Sequence, residues 1–163
     1  MLAITDLKAG LVSEVNLGRL VVFERGSQRL FALRVNAGRD VTPESAAILV
    51  FGLQDDGHTF PAVCLSNVGH EWCMVLNVPL LVAAEVSPFL SGRRPPGLVA
   101  GALVTHENGL AIAATVTLSS TDLRFWDIQS GLLVGAPEAS QQLTGWQIGV
   151  AGIDGKFEPI IPG

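Results

Sequence analysis

The segment "VVFERGSQRLFAL" (21–33) constrains the fold more than any other. Gly26-Ser27 suits a two-residue type II′ turn, whose first position needs positive φ. That register sets Glu24 opposite Arg29 and Phe23 opposite Leu30, an ion pair and an apolar pair. One face of the hairpin then carries Val21, Phe23, Leu30 and Ala32. The other carries Leu20, Val22, Phe31, Leu33 and Val35. A solvated antiparallel sheet alternates apolar and polar residues. This hairpin is apolar on both faces, so it must be covered twice, by the domain core and by a second layer or subunit.

The rest of the chain has the same grammar. Short runs of Val, Leu, Ile and Phe are broken by Gly, Asn, Asp and Pro. Strands are expected near 18–25, 28–35, 47–54, 59–66, 71–78, 80–86, 98–106, 110–118, 122–128, 131–135 and 146–152. No segment holds a long 3.6-residue period. Two short helical turns are expected, one at Thr42-Pro43 with Thr42 as cap, the other opening at Pro137-Glu138. Asn108-Gly109 reads as a type I′ turn. The fold class is therefore all-β, a mainly antiparallel barrel or sandwich of about ten strands.

Charged residues are 15% of the 163, against a typical value of about 25%. A surface so poor in charge points to cover by another copy of the chain. Net charge is −5, which speaks against nucleic acid as a partner. Residues 1–40 nevertheless hold six basic side chains against four acidic ones. Those arginines are expected to pair with acids across strands or at an interface. "MLAITDLKAGLVSEVN" has no basic region followed by a long apolar core, and "VPLLVAAEV" is too short to span a membrane. With two cysteines and no export signal, a cytoplasmic location and no membrane partner are expected.

A weak repeat runs at an offset of 83 residues. "GRLVVFERG" (18–26) aligns with "GALVTHENG" (101–109), and ten of 80 aligned pairs are identical. Chance gives about six for this composition. The chain reads as one β domain over 1–163, with candidate halves 1–86 and 98–163 joined by the Pro/Gly-rich segment 87–97.

The most site-like stretch is "CLSNVGHEWC" (64–73), with both cysteines, one histidine and a tryptophan. A hairpin with Asn67–His70 in its turn sets Cys64 across from Cys73, near disulfide range. In a reducing compartment two free thiols side by side are the expected state. A metal needs about four ligands around one point. Strand rise leaves His70 about 10 Å and His58 about 20 Å from the pair, so no metal and no cofactor are assigned. The two His-Glu pairs (70–71 and 106–107) fall at hairpin tips or strand ends and point to opposite faces. No nucleophile elbow, P-loop or dinucleotide fingerprint occurs, so no catalytic residue is assigned; Cys64 or Cys73 with His106 is the residual enzymatic reading. "QDDGH" (54–58) reads as a turn rather than a calcium loop. "WDIQSG" (126–131) resembles the Trp-Asp strand of a WD40 blade over about a dozen residues. A propeller repeats that unit every 40 residues or so. Trp126-Asp127 occurs once, so the family is rejected in favour of an inward Trp126 followed by a Ser-Gly turn.

Arg93 and Arg94 are the only adjacent basic pair and suit a phosphate or carboxylate; their simpler reading is a solvated loop. With His70 and Trp72 they complete the ligand-binding candidates. The function expected is a non-catalytic assembly or binding module acting as a homo-oligomer. The alternative is a β-barrel for a small anionic or apolar ligand, in which the Ala/Gly-rich strands "GLVAGALV" and "LAIAATV" leave interior room.

Overall fold

The computed structural model describes residues 7–37, 42–86, 98–136, 142–152 and 154–162. The molecule is all-β, with thirteen strands among these residues: β1 (Leu7–Leu11), β2 (Leu20–Arg25), β3 (Gln28–Val35), β4 (Ala47–Asp55), β5 (His58–Leu65), β6 (Trp72–Leu76), β7 (Leu80–Val86), β8 (Leu103–His106), β9 (Gly109–Thr115), β10 (Leu123–Asp127), β11 (Leu133–Val134), β12 (Gln142–Ala151) and β13 (Phe157–Pro162). Single 3-10 turns cover Val12–Glu14 and Pro43–Ser45. The second stands where Thr42-Pro43 predicts one, and Ser45 Oγ, not the Thr42 side chain, bonds the Thr42 backbone. The helical turn expected at Pro137 lies outside the described residues.

The β2–β3 hairpin forms in the expected register, with Phe23 opposite Leu30 and Glu24 opposite Arg29. Gly26 has φ +59, and Arg29 meets Glu24 at 3.0 Å. Asp55 pairs with His58, so Asp56 and Gly57 turn β4 into β5, at φ +45 and +77. The turn expected at Asn108-Gly109 sits one residue earlier. His106 pairs with Gly109, leaving Glu107-Asn108 as the loop, and Asn108 is not at positive φ. The left-handed pair that an Asn-Gly turn requires is thus absent, and only Gly109 departs from ordinary strand geometry, at φ +149.

Two sets of six strands share one order. The first runs β1-β6-β2-β3-β4-β5; the second runs β7-β12-β8-β9-β10-β11, with β13 added beside β12. Every neighbouring pair within each set is antiparallel. Adding six to each strand number of the first set gives the second. The central hairpins turn at 26–27 and 107–108, an offset of 81 rather than 83 residues. A single parallel bridge, Val63 to Thr115, joins β5 to β9. Of the two expected architectures, barrel or sandwich, the sandwich fits: no closed barrel is found among the described strands. Among the described residues β1, β7 and β11 each pair on one side only, so apolar faces are buried by stacking rather than by closure.

Three apolar clusters follow. The largest lies between the sets and joins Leu20, Leu33, Leu49, Cys64 and Leu76 of the first to Leu103, Ile112, Trp126 and Ile148 of the second. On the far face of the first set Val21, Phe23, Leu30, Ala32 and Val50 pack with Val12 and Cys73. On the far face of the second set Ala102, Val104, Ala111, Ala113 and Phe125 do the same. Both faces of the β2–β3 hairpin are therefore covered, as its sequence demands. The alanines of β9 serve close packing: Ala113 stands opposite Phe125. No helix of the described residues is long and apolar enough to cross a membrane.

Candidate functional site

The segment 64–73 is not a hairpin. Cys64 pairs with Leu49 on β4, whereas Cys73 pairs with Gly10 on β1 and Phe23 on β2. Neither cysteine is in a disulfide, and both are buried. They belong to different clusters, on opposite faces of the first set. The physical reason lies in the connecting turn. Val68 N–H donates to Ala46 O (3.1 Å), Ser13 N–H to Gly69 O (3.2 Å) and Val12 N–H to Glu71 O (3.0 Å). The segment thus runs past both 3-10 turns and enters beside β1. Gly69 fits only because it lacks a side chain; a Cβ there would sit 2.0 Å from Pro43 O. Burial pushes the Cys73 thiol up, against a smaller opposite pull from the Arg34 cation. A reactive cysteine needs the reverse shift.

Two of the four candidate ligand residues, His70 and Trp72, fall among the described residues. Arg93 and Arg94 lie outside the described residues. His70 is exposed in the turn, its Nε2 3.8 Å from Glu44 Oε1. Trp72 is 68% exposed, on the β6 face that also bears Met74. Leu76 on that face is wholly buried under the second set, so the face passes from core to surface along one short strand. Leu11 and Ala9 of β1 stand opposite Trp72 and Met74, and Val22 of β2 flanks Met74. Ala9, Val22, Glu24, Trp72, Cys73 and Met74 line a shallow hollow of about 190 Å³.

A buried polar cluster escaped sequence reasoning. His106 Nε2 lies 2.8 Å from Asp127 Oδ2, and both side chains are 10% exposed. Asp127 Oδ1 accepts from the backbone N–H of Gln129 (3.1 Å) and of Ser130 (2.7 Å), and from the Ser130 hydroxyl (2.8 Å). Burial alone would raise the Asp127 pKa; the bonds from Ser130, His106 and Gln129 together outweigh it and hold the carboxyl below its ordinary value. Asn108 N–H approaches His106 Nδ1 at 3.4 Å. The imidazole thus faces a carboxylate and a backbone amide, and the serine bonds the carboxylate directly. That order does not place the serine for activation by the histidine.

The cluster's work is to fix the 127–131 turn against the first set. Asn36 N–H donates to Gly131 O and Gly18 N–H to Arg34 O, each at 2.8 Å, and Trp126 Nε1 donates to Asn36 O at 2.8 Å. A Cβ on Gly18 would lie 1.9 Å from Gln129 O. Arg34, 8% exposed, donates to the carbonyls of Val12, Val35 and Ala47 rather than lining a surface. The signal for Asp127 was present in "WDIQSG" as an Asp three residues before a Ser, a local turn pattern. Nothing local pointed from it to His106.

An open cleft of about 330 Å³ lies at the same seam, lined by residues that include Gly18, Arg19, Pro79 and Gln129. No group of three or more His, Cys, Asp or Glu side chains able to hold a metal occurs among the described residues. Comparison with protein-family models, with curated proteins and with solved structures finds no match.

Proposed function

We propose that this chain is a non-catalytic β-structured assembly or binding module that acts as a homo-oligomer. The observation that carries the reading is the Trp72 face. A tryptophan 68% exposed, beside Met74 at 42%, on a sheet face that ends, among the described residues, at the edge strand β1, is a costly surface for an isolated chain. Tryptophan is also the side chain most enriched among residues that dominate binding energy. The repeated six-strand order supports a second element of the proposal, that the module arose by internal duplication of a half-domain. Light scattering at micromolar concentration tests the reading: an oligomer is expected, and a monomer overturns it.

A second reading rests on the seam cleft, where Arg19 could meet a small anion. Thermal melting with and without millimolar inorganic phosphate tests it; no shift in midpoint removes it.

A further inference from the structure

Strand β1 ends the strand order, pairing among the described residues only with β6. Its outer edge has the features that invite another strand: no proline, no bulge and a single charge, Lys8. The hydrogen-bonding phase of that edge can be worked out. In an antiparallel pair, opposed residues alternate between exchanging both backbone bonds and exchanging none. Val12 N–H donates to Glu71 O, one step beyond the Leu11–Trp72 pair. So Val12, Gly10 and Lys8 turn their peptide groups toward β6. Leu7, Ala9 and Leu11 turn theirs to the open side. The position of Leu11 N–H, 3.3 Å from Glu14 Oε2, agrees with this.

We propose that β1 pairs antiparallel with β1 of a second copy about a two-fold axis at Ala9, extending the first six-strand set across a dimer. The inference rests on the homo-oligomer reading and specifies its contact. In this register Ala9 meets Ala9 of the second copy, and Leu7 meets Leu11 of the second copy; Leu7 and Ala9 present N–H and C=O to the partner strand, and Leu11 presents its carbonyl, its N–H being held by Glu14 Oε2. Leu7, Ala9 and Leu11 share the sheet face of Trp72 and Met74. The small alanine at the axis leaves the hollow beside Trp72 and Met74 open to apolar cover from the other copy.

Charge complementarity selects a second copy over an unrelated strand. Lys8 and Gly10 share the opposite face, and Lys8 falls directly across from Gly10 of the second copy. A Cβ on Gly10 would lie 3.5 Å from Glu14 Oε2. The Glu14 carboxylate therefore stands over Gly10, where the second copy's Lys8 ammonium arrives. The two-fold axis makes this ion pair twice, and no like charges oppose each other along the strand.

The test uses the full chain. Ala9→Cys treated with a short bis-maleimide is expected to give a covalent dimer, since Cβ atoms of opposed residues lie about 5 Å apart; the native thiols are buried, and the parent chain is the control. Ala9→Pro removes only a donor that faces away from β6, and is expected to give a folded monomer. Lys8→Glu is expected to weaken the dimer about tenfold, through two reversed ion pairs. Lys8→Glu with Glu14→Lys is expected to restore it to within about threefold of the parent. A parent that oligomerises while Ala9→Cys fails to cross-link and Lys8→Glu leaves association unchanged overturns the β1 contact but not the assembly reading. A monomeric parent overturns both.

Discussion

Asp127 shows how a single side chain joins distant parts of this chain. Its four accepted hydrogen bonds order the turn that docks on the first set. Its pKa lies below the ordinary 3.8 in the folded chain. The charged form therefore favours folding at neutral pH, and that contribution is lost as pH falls through the unfolded value and then the folded one. Asp127→Asn is expected to cost about 2 kcal/mol at pH 7 and to flatten the acid limb of stability below pH 4 or so. Urea unfolding at several pH values checks both. The thiols give a second outcome at this scale. Cys64 and Cys73 are 5% and 4% exposed, and Cys73 is held protonated by burial. Both are expected to resist a thiol-exchange reagent in the native chain and to react fully in denaturant.

At the scale of elements, turns decide register. Asp56 holds φ +45 between β4 and β5, a conformation that Asp and Asn tolerate and β-carbon sterics otherwise disfavour. Asp56→Ala is expected to destabilise by about 1 kcal/mol, and Asp56→Asn to be neutral, by thermal melting. Eleven of the strands were legible from apolar runs and their punctuation. The two that were not, β1 and β13, have clear reasons. "LKAGL" carries no β-branched residue, and "FEPIIP" contains prolines, which a sheet accepts chiefly at an edge. Each becomes a strand because β6 or β12 offers it a partner.

At the scale of the molecule, the two six-strand sets depend on each other. The cluster between them includes Leu20, Leu33, Leu49 and Cys64 from one side and Leu103, Ile112 and Trp126 from the other. A chain cut between Leu76 and Leu80, with both pieces co-expressed, is expected to give a stoichiometric complex. The first piece alone is expected to aggregate, because it exposes that face. Pull-down of one tagged piece, followed by a count of the other, checks the expectation. The weak repeat was visible in sequence mainly through its turn glycines. The structure places the central hairpins two residues away from that alignment, because the second loop ends before Gly109. Shared strand order survives such shifts, since it is set by faces rather than by single positions.

The sequence by itself determined the fold class, the hairpin register at Gly26-Ser27, a turn within residues 54–58, and the need to cover the β2–β3 hairpin on both faces. These follow from φ preferences and side-chain alternation, which act over a few residues. Only the tertiary structure decided that Cys64 and Cys73 part to opposite faces, that His106 finds Asp127, that Arg34 turns inward and that Trp72 turns out. Each of those outcomes depends on which distant strand becomes a neighbour. That choice is made by the fit of whole apolar faces, and no local spacing encodes it.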